Sequence, residues 1–236
     1  LDLFWAVREP PPSHYQRTIA LLGPGGLRWN PRDTLPPRDF REPSATWAWP
    51  VGTYVQDSHY VETVPGTPPG VYDLNLTLFE LETLVAMRVL EAGGQPGPPM
   101  LSLGQITVTR PRRSPDPAEL TAQHRLNTDL GSLVLLGVSL DRTEAAPGDL
   151  FLVTLFWLAA EDPEIDLIAR LALIAADGSS AATFDLPPTT ASHPTSTWQA
   201  GDLWRGQHLL YFPAATFDGD YTWRLTLLPP GQSTDL

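Results

Sequence analysis

The chain has 236 residues, enough for one large or two ordinary domains that each bury a core. Its 27 acidic against 15 basic residues give a net charge of −12, which repels polyanions and argues against a nucleic-acid partner. Zero Cys excludes disulfides, thiolate metal sites and cysteine nucleophiles, while 26 Pro and 18 Gly favour short strands and turns over long helices.

In chain order, Leu1–Val7 alternates as a strand and Thr18–Leu22 continues the pattern up to the turn Gly23-Pro24-Gly25-Gly26. Asn30–Pro43, rich in Pro, Arg and Asp, reads as a loop. Tyr54–Val61 and Val71–Phe79 are predicted strands around a Pro65–Gly70 turn, followed by Met87–Leu90 and Leu101–Thr109. Arg110–Asp129 reads as an interdomain linker with one helical turn at Pro117–His124. Beyond it come predicted strands Leu133–Leu140, Leu150–Leu158, Leu167–Ala175, Trp204–Phe212 and Tyr221–Leu228, with turns at Pro147-Gly148-Asp149 and Asp177-Gly178. The longest apolar runs, Leu133–Leu136 and Leu150–Val153, are far short of the roughly 20 residues that cross a bilayer, so no membrane span is expected in this chain. Leu1 is neither an initiator Met nor the start of a signal peptide, and the chain reads as an excised or processed piece.

The two halves repeat one pattern, clearest between Ala45–Leu78 and Ser196–Leu227. Trp157 − Trp5 and Gly178 − Gly26 both give 152, Trp198 − Trp47 gives 151, and His208 − His59 gives 149. The fold expected is therefore all-β: two tandem immunoglobulin-like or fibronectin-III-like β-sandwiches related by internal duplication. Their bounds are 1–110 and 131–236, joined by a Pro-rich linker at 111–130. The opening strand Leu133–Leu140 has no counterpart before Leu1, and Met100–Thr109 has none after Tyr221–Leu228, so each sandwich is expected to lack one strand. The expected partners are the rest of a longer parent chain, or neighbouring copies, engaging those edges.

Leu136-Gly137, Pro147-Gly148-Asp149, Leu155-Phe156-Trp157, Pro194, Trp198, Gly201-Asp202 and Gly219-Asp220-Tyr221 carry a resemblance, as do Trp47, Gly52, Asp57, Pro69-Gly70-Val71-Tyr72 and Leu78-Phe79. On these residues the chain resembles the paired β-sandwich regions of large, mostly uncharacterised bacterial membrane proteins, some glycosyltransferase-like, with a multi-pass segment upstream. The resemblance covers nearly the whole chain and implies an extracytoplasmic, cell-surface position, membrane-anchored through other segments. The acidic position of the pattern is Asp57 in the first copy and Gly206 in the second, so a site built on it would exist once.

Trp5, Trp47, Trp157 and Trp198 recur at matched positions and read as core, as do Tyr72 and Tyr221 behind their turn glycines. Trp49 and Trp204 fall outside that match; with Tyr54 they are the candidates for stacking on a sugar ring. No metal site is assigned, because the histidines lack ligand spacing; Asp218 and Asp220 are a weak Ca²⁺ candidate without the periodicity of a dedicated loop. No Gly-X-Ser-X-Gly elbow or phosphate loop occurs, and no cofactor is expected. The function expected is a non-catalytic structural or protein-interaction module. A carbohydrate-binding module accessory to a glycosyltransferase is the alternative, and a glycan-processing enzyme a distant third.

Overall fold

The computed structural model describes residues 1–31, 45–213 and 218–232. Contacts divide the chain into Leu1–Val64 with Val71–Thr107 (unit 1) and Pro65–Gly70 with Val108–Leu236 (unit 2). Both are built of antiparallel strands, and the helical pieces among the described residues are short 3-10 turns.

Unit 1 contains β1 (Asp2–Ala6), β2 (Tyr15–Leu22), β3 (Tyr54–Ser58), β4 (Gly70–Glu80) and β5 (Leu101–Val108). Strands β1 and β3 pair, and β2-β4-β5 form a second sheet. Period-two alternation puts Ile19 and Leu21 of β2 and Tyr72, Leu74 and Leu76 of β4 in the interior. Trp29 packs edge-on against Tyr72, ring centres 5.9 Å apart. Each such apolar side chain stabilises the fold by about 2 kcal/mol.

Unit 2 contains β6 (His124–Asp129), β7 (Leu133–Leu140), β8 (Leu150–Ala159), β9 (Ile168–Ala175), β10 (Ser180–Leu186), β11 (Leu203–Tyr211) and β12 (Tyr221–Leu228). The sheets run β11-β8-β7-β6 and β10-β9-β12. Leu133, Leu135, Val153, Leu155 and Trp157 of the first sheet share a core with Ala169 and Leu171 of the second, Trp223 and Leu225 packing against it. This arrangement is compatible with a β-sandwich.

Three expectations need correction. The predicted linker carries β6, whose six residues are all exposed and which pairs with β7 as an edge strand. The turn expected at Pro117–His124 is a 3-10 turn over Pro117–Glu119, capped by the Asp116 carboxylate accepting from the Ala118 N–H at 2.8 Å. Met87–Leu90 holds only an isolated bridge, Leu90 to Pro96, while β10 forms where no strand is predicted. The loop reading of Asn30–Pro43 lies, from residue 32 onward, outside the described residues.

The two units repeat the same bonds at two fixed offsets. In β1–β3, Leu3 faces Asp57 and Trp5 faces Val55. In β8–β11, Leu155 faces Gly206 and Trp157 faces Trp204, so the first strand is displaced by 152 positions and the second by 149. Leu21 opposite Leu74 and Leu173 opposite Trp223 give the same two numbers, 152 and 149. A hydroxyl repeats them as well. Thr46 Oγ1 accepts the Tyr15 N–H at 2.8 Å and donates to the Ser13 carbonyl at 2.9 Å. Thr195 Oγ1 accepts the Leu167 N–H at 2.7 Å and donates to the Ile165 carbonyl at 2.8 Å. The Gly52 N–H bonds the Val7 carbonyl and the Gly201 N–H the Ala159 carbonyl, each at 2.8 Å. Both glycines take positive φ, +79° and +84°, a conformation that costs other residues.

At the offset of 149 that these bonds share, Trp198 falls on Trp49, two residues from the Trp47 that the sequence pattern matches to it. The units differ at their sheet margins. Strand β8 has β11 on one side and β7 on the other, whereas β1 has only β3 among the described residues. Strand β4 carries β5 on the side away from β2; β12 carries no strand on the corresponding side among the described residues.

Candidate functional site

In unit 1, the β1–β3 pairing brings Trp5 to Asp57, and β2 supplies Arg17. The Trp5 indole N–H donates to Asp57 Oδ2 at 3.3 Å, and Arg17 forms a short ion pair with Oδ1. His59 Nε2 lies 3.1 Å from both Arg17 Nε and Asp57 Oδ1. The Asp57 side chain is 1% exposed. Burial alone would raise its pKa, but hydrogen bonds from His59 and Arg17, with the guanidinium charge, hold it below the ordinary carboxylate value. A carboxylate so surrounded is a poor proton acceptor at neutral pH. Its geometry serves cohesion better than general-base chemistry.

Unit 2 resolves the same place without charge. Arg17 corresponds to Ala169 and Asp57 to Gly206 at the offsets above, so the ion pair disappears as a pair. The Trp157 indole donates instead to the Pro188 carbonyl at 2.9 Å. A Cβ on Gly206 would collide with that carbonyl oxygen. Thus the residue that looks like a lost acid is a glycine required by a main-chain acceptor.

Unit 2 also holds two buried histidines. His193 stacks on Trp198 at 5.9 Å between ring centres and meets Trp204 edge-on at 4.7 Å. Burial, with Arg110's charge adding to it, lowers His193 to a pKa of about 4. His208 is also lowered to about 4, by burial, with the Pro188 carbonyl opposing weakly. Arg110 bridges to Asp202 at 3.3 Å and lies 6.0 Å over the Trp204 ring. His193 Nε2, His208 Nε2 and Trp204 Nε1 are buried without a well-formed hydrogen bond.

Of the sugar-stacking candidates, Trp204 is 1% exposed and presents no face to a ligand: it sits opposite Trp157 in register, inside the core. Trp49 is half-buried, and Tyr54 is 78% exposed. Trp47, expected in the core, is 61% exposed. The spacing Thr46-X-X-Trp49-X-X-Gly52, matched by Thr195-X-X-Trp198-X-X-Gly201, is the signal that identifies which tryptophan repeats. Asp218 and Asp220 are exposed at the rim of a depression of about 350 Å³ floored by Phe151 and Trp223. Among the described residues no three His, Cys, Asp or Glu side chains gather as metal ligands. No family model and no curated protein matches the chain.

Proposed function

We propose that the chain is a non-catalytic structural or protein-interaction module, made of two immunoglobulin-like β-sandwiches related by internal duplication. The carrying observation is the repetition of strand registers and of the threonine and glycine loop bonds at offsets of 152 and 149. What persists between the copies is scaffold, namely register, turns and the Thr-X-X-Trp-X-X-Gly loop, while the one buried carboxylate of the pattern is engaged by packing partners in unit 1 and replaced by Gly206 in unit 2. On this reading the module belongs to a larger membrane-anchored or surface-assembled protein, exposed outside the cytoplasm, and acts through its sheet edges. Assays of the chain against model glycosides across pH are the test: the module gives no turnover, and saturable turnover overturns the reading.

A second reading, a carbohydrate-binding module, draws support from the exposure of Tyr54 and Trp47 on unit 1. It requires saturable quenching of tryptophan emission by a glycan, lost in Tyr54→Ala or Trp47→Ala and retained in a variant of the buried Trp204. The structural module gives no saturable quenching.

A further inference from the structure

Among the described residues β1 pairs on one side only, and the atoms on its other side are defined. The Val7 N–H donates to the Thr53 carbonyl at 3.1 Å and the His59 N–H to the Leu1 carbonyl at 2.7 Å, so odd-numbered residues bond toward β3. Bonding direction alternates along an antiparallel ladder. The main-chain groups of Asp2, Phe4 and Ala6 therefore point to the side where no strand lies among the described residues.

Unit 2 displays the same strand covered. There the Ala159 N–H turns to Asp202 on the β11 side, whereas the Ala160 N–H turns to Ser132 next to β7, each at 2.9 Å. Phe156, the counterpart of Phe4, has Gly137 of β7 opposite it. Its ring packs in a cluster with Leu120 and Leu203, joined by Ala122 and Leu136, and Arg205 lies 4.8 Å above it. Phe156 and Leu203 are each 1% exposed, while their counterparts Phe4 and Tyr54 are 65% and 78% exposed. A Cβ on Gly137 would meet the His124 carbonyl at 2.6 Å and Ala122 Cβ at 2.8 Å, so it is the segment leading into β6 that requires the glycine there.

We infer that the outer edge of β1, with Phe4 and Tyr54 beside it, is a docking site for one extended apolar segment of β7 chemistry: antiparallel and rich in Leu and Val. The inference rests on the duplication reading and names the partner that reading leaves open. The occupant inserts as a strand, its main chain bonding Asp2, Phe4 and Ala6 and an apolar side chain in the place of Leu136 shielding Phe4.

The test titrates the chain with a labelled peptide of residues 131–141, GSLVLLGVSLD, carrying solubilising lysines, and reads fluorescence anisotropy. Expected is saturable binding, weakened at least tenfold by Phe4→Pro, which removes an N–H from the open side and none from the β3 ladder. The peptide supplies a control independent of protein folding. The Asp141 N–H bonds Leu152 of β8, so alternation aims the Gly137 and Ser139 N–H groups at the receiving strand. N-methylation at those two positions abolishes binding, and N-methylation at Val138 and Leu140 leaves at least half the affinity. Absence of saturable binding, or equal loss from both methylated peptides, overturns the proposal. So does a concentration-dependent dimer of the chain that Phe4→Pro abolishes and the peptide does not compete, which assigns the edge to a second copy. Failure here leaves the glycoside assays of the module reading untouched, and turnover in those assays leaves this titration untouched.

Discussion

Asp57 and Arg17 form an ion pair in unit 1 where unit 2, at the same offsets, carries Gly206 and Ala169 and no charge. A single replacement at either position leaves a lone ion in a place that is nearly dry, a loss of about 3–5 kcal/mol, whereas removing both leaves no charge stranded and costs the Trp5 and His59 hydrogen bonds and leaves a gap. Arg17→Ala and Asp57→Gly are thus each expected to destabilise unit 1 by about 3 kcal/mol, and the double variant by clearly less than their sum, a coupling of at least about 1 kcal/mol in denaturant unfolding. Additive losses would show that the pair is not a unit. The pH dependence follows from the sign of the Asp57 shift. A carboxylate whose folded-state pKa is depressed stabilises above its ordinary value near 4, and that contribution fades as pH falls below it. The wild-type advantage over Asp57→Asn should therefore shrink below about pH 4 and hold constant from pH 5 upward.

At the scale of strands, the sequence made most of the architecture legible, because alternating apolar residues and glycine turns are local signals. It hid β6, since HRLNTD has no buried face to alternate, and β10, whose mixed Ala, Thr and Asp content carries little period. It misassigned three tryptophans. Trp204 looked like a surface residue because Leu203 beside it is also buried, each on its own face of the sheet, a burial that only tertiary cover creates. Trp47 and Trp49 stand two residues apart and residue type alone does not separate them, while the fold matches the threonine hydroxyl three residues before Trp49 and Trp198. Nor could the sequence place a carbonyl: Gly206 looks like a lost acid until Pro188 is seen against it. Gly206→Ala is accordingly expected to destabilise unit 2 by about 2–3 kcal/mol through overpacking in the middle of β11, read as a lowered urea midpoint with unchanged slope. A neutral result would mean that the Pro188 segment moves aside freely.

At the scale of the whole chain, the two units should respond to acid in sequence. His193 and His208, folded at a pKa of about 4 against about 6.5 in the open chain, bind protons only when unit 2 unfolds. Between those values the unfolded state takes up protons that the folded state refuses, so stability falls as pH drops from about 6.5 to about 4, by on the order of 2–3 kcal/mol for each histidine. Asp57 of unit 1 yields only below that range. Hydrogen exchange at pH 7 and pH 5 should show β8 and β11 losing protection while β2 and β4 keep theirs; equal loss in both would refute the assignment. The open margin of β1 has a further consequence, for colloidal behaviour. A strand edge that no described strand covers, flanked by Phe4 and Tyr54, is a template for chain-to-chain stacking, and at neutral pH a net charge of −12 holds copies apart. Acid or concentrated salt removes that repulsion, so light scattering should rise under either condition well before unit 1 unfolds, and Phe4→Lys, which sets a charge beside the edge, should keep the solution clear.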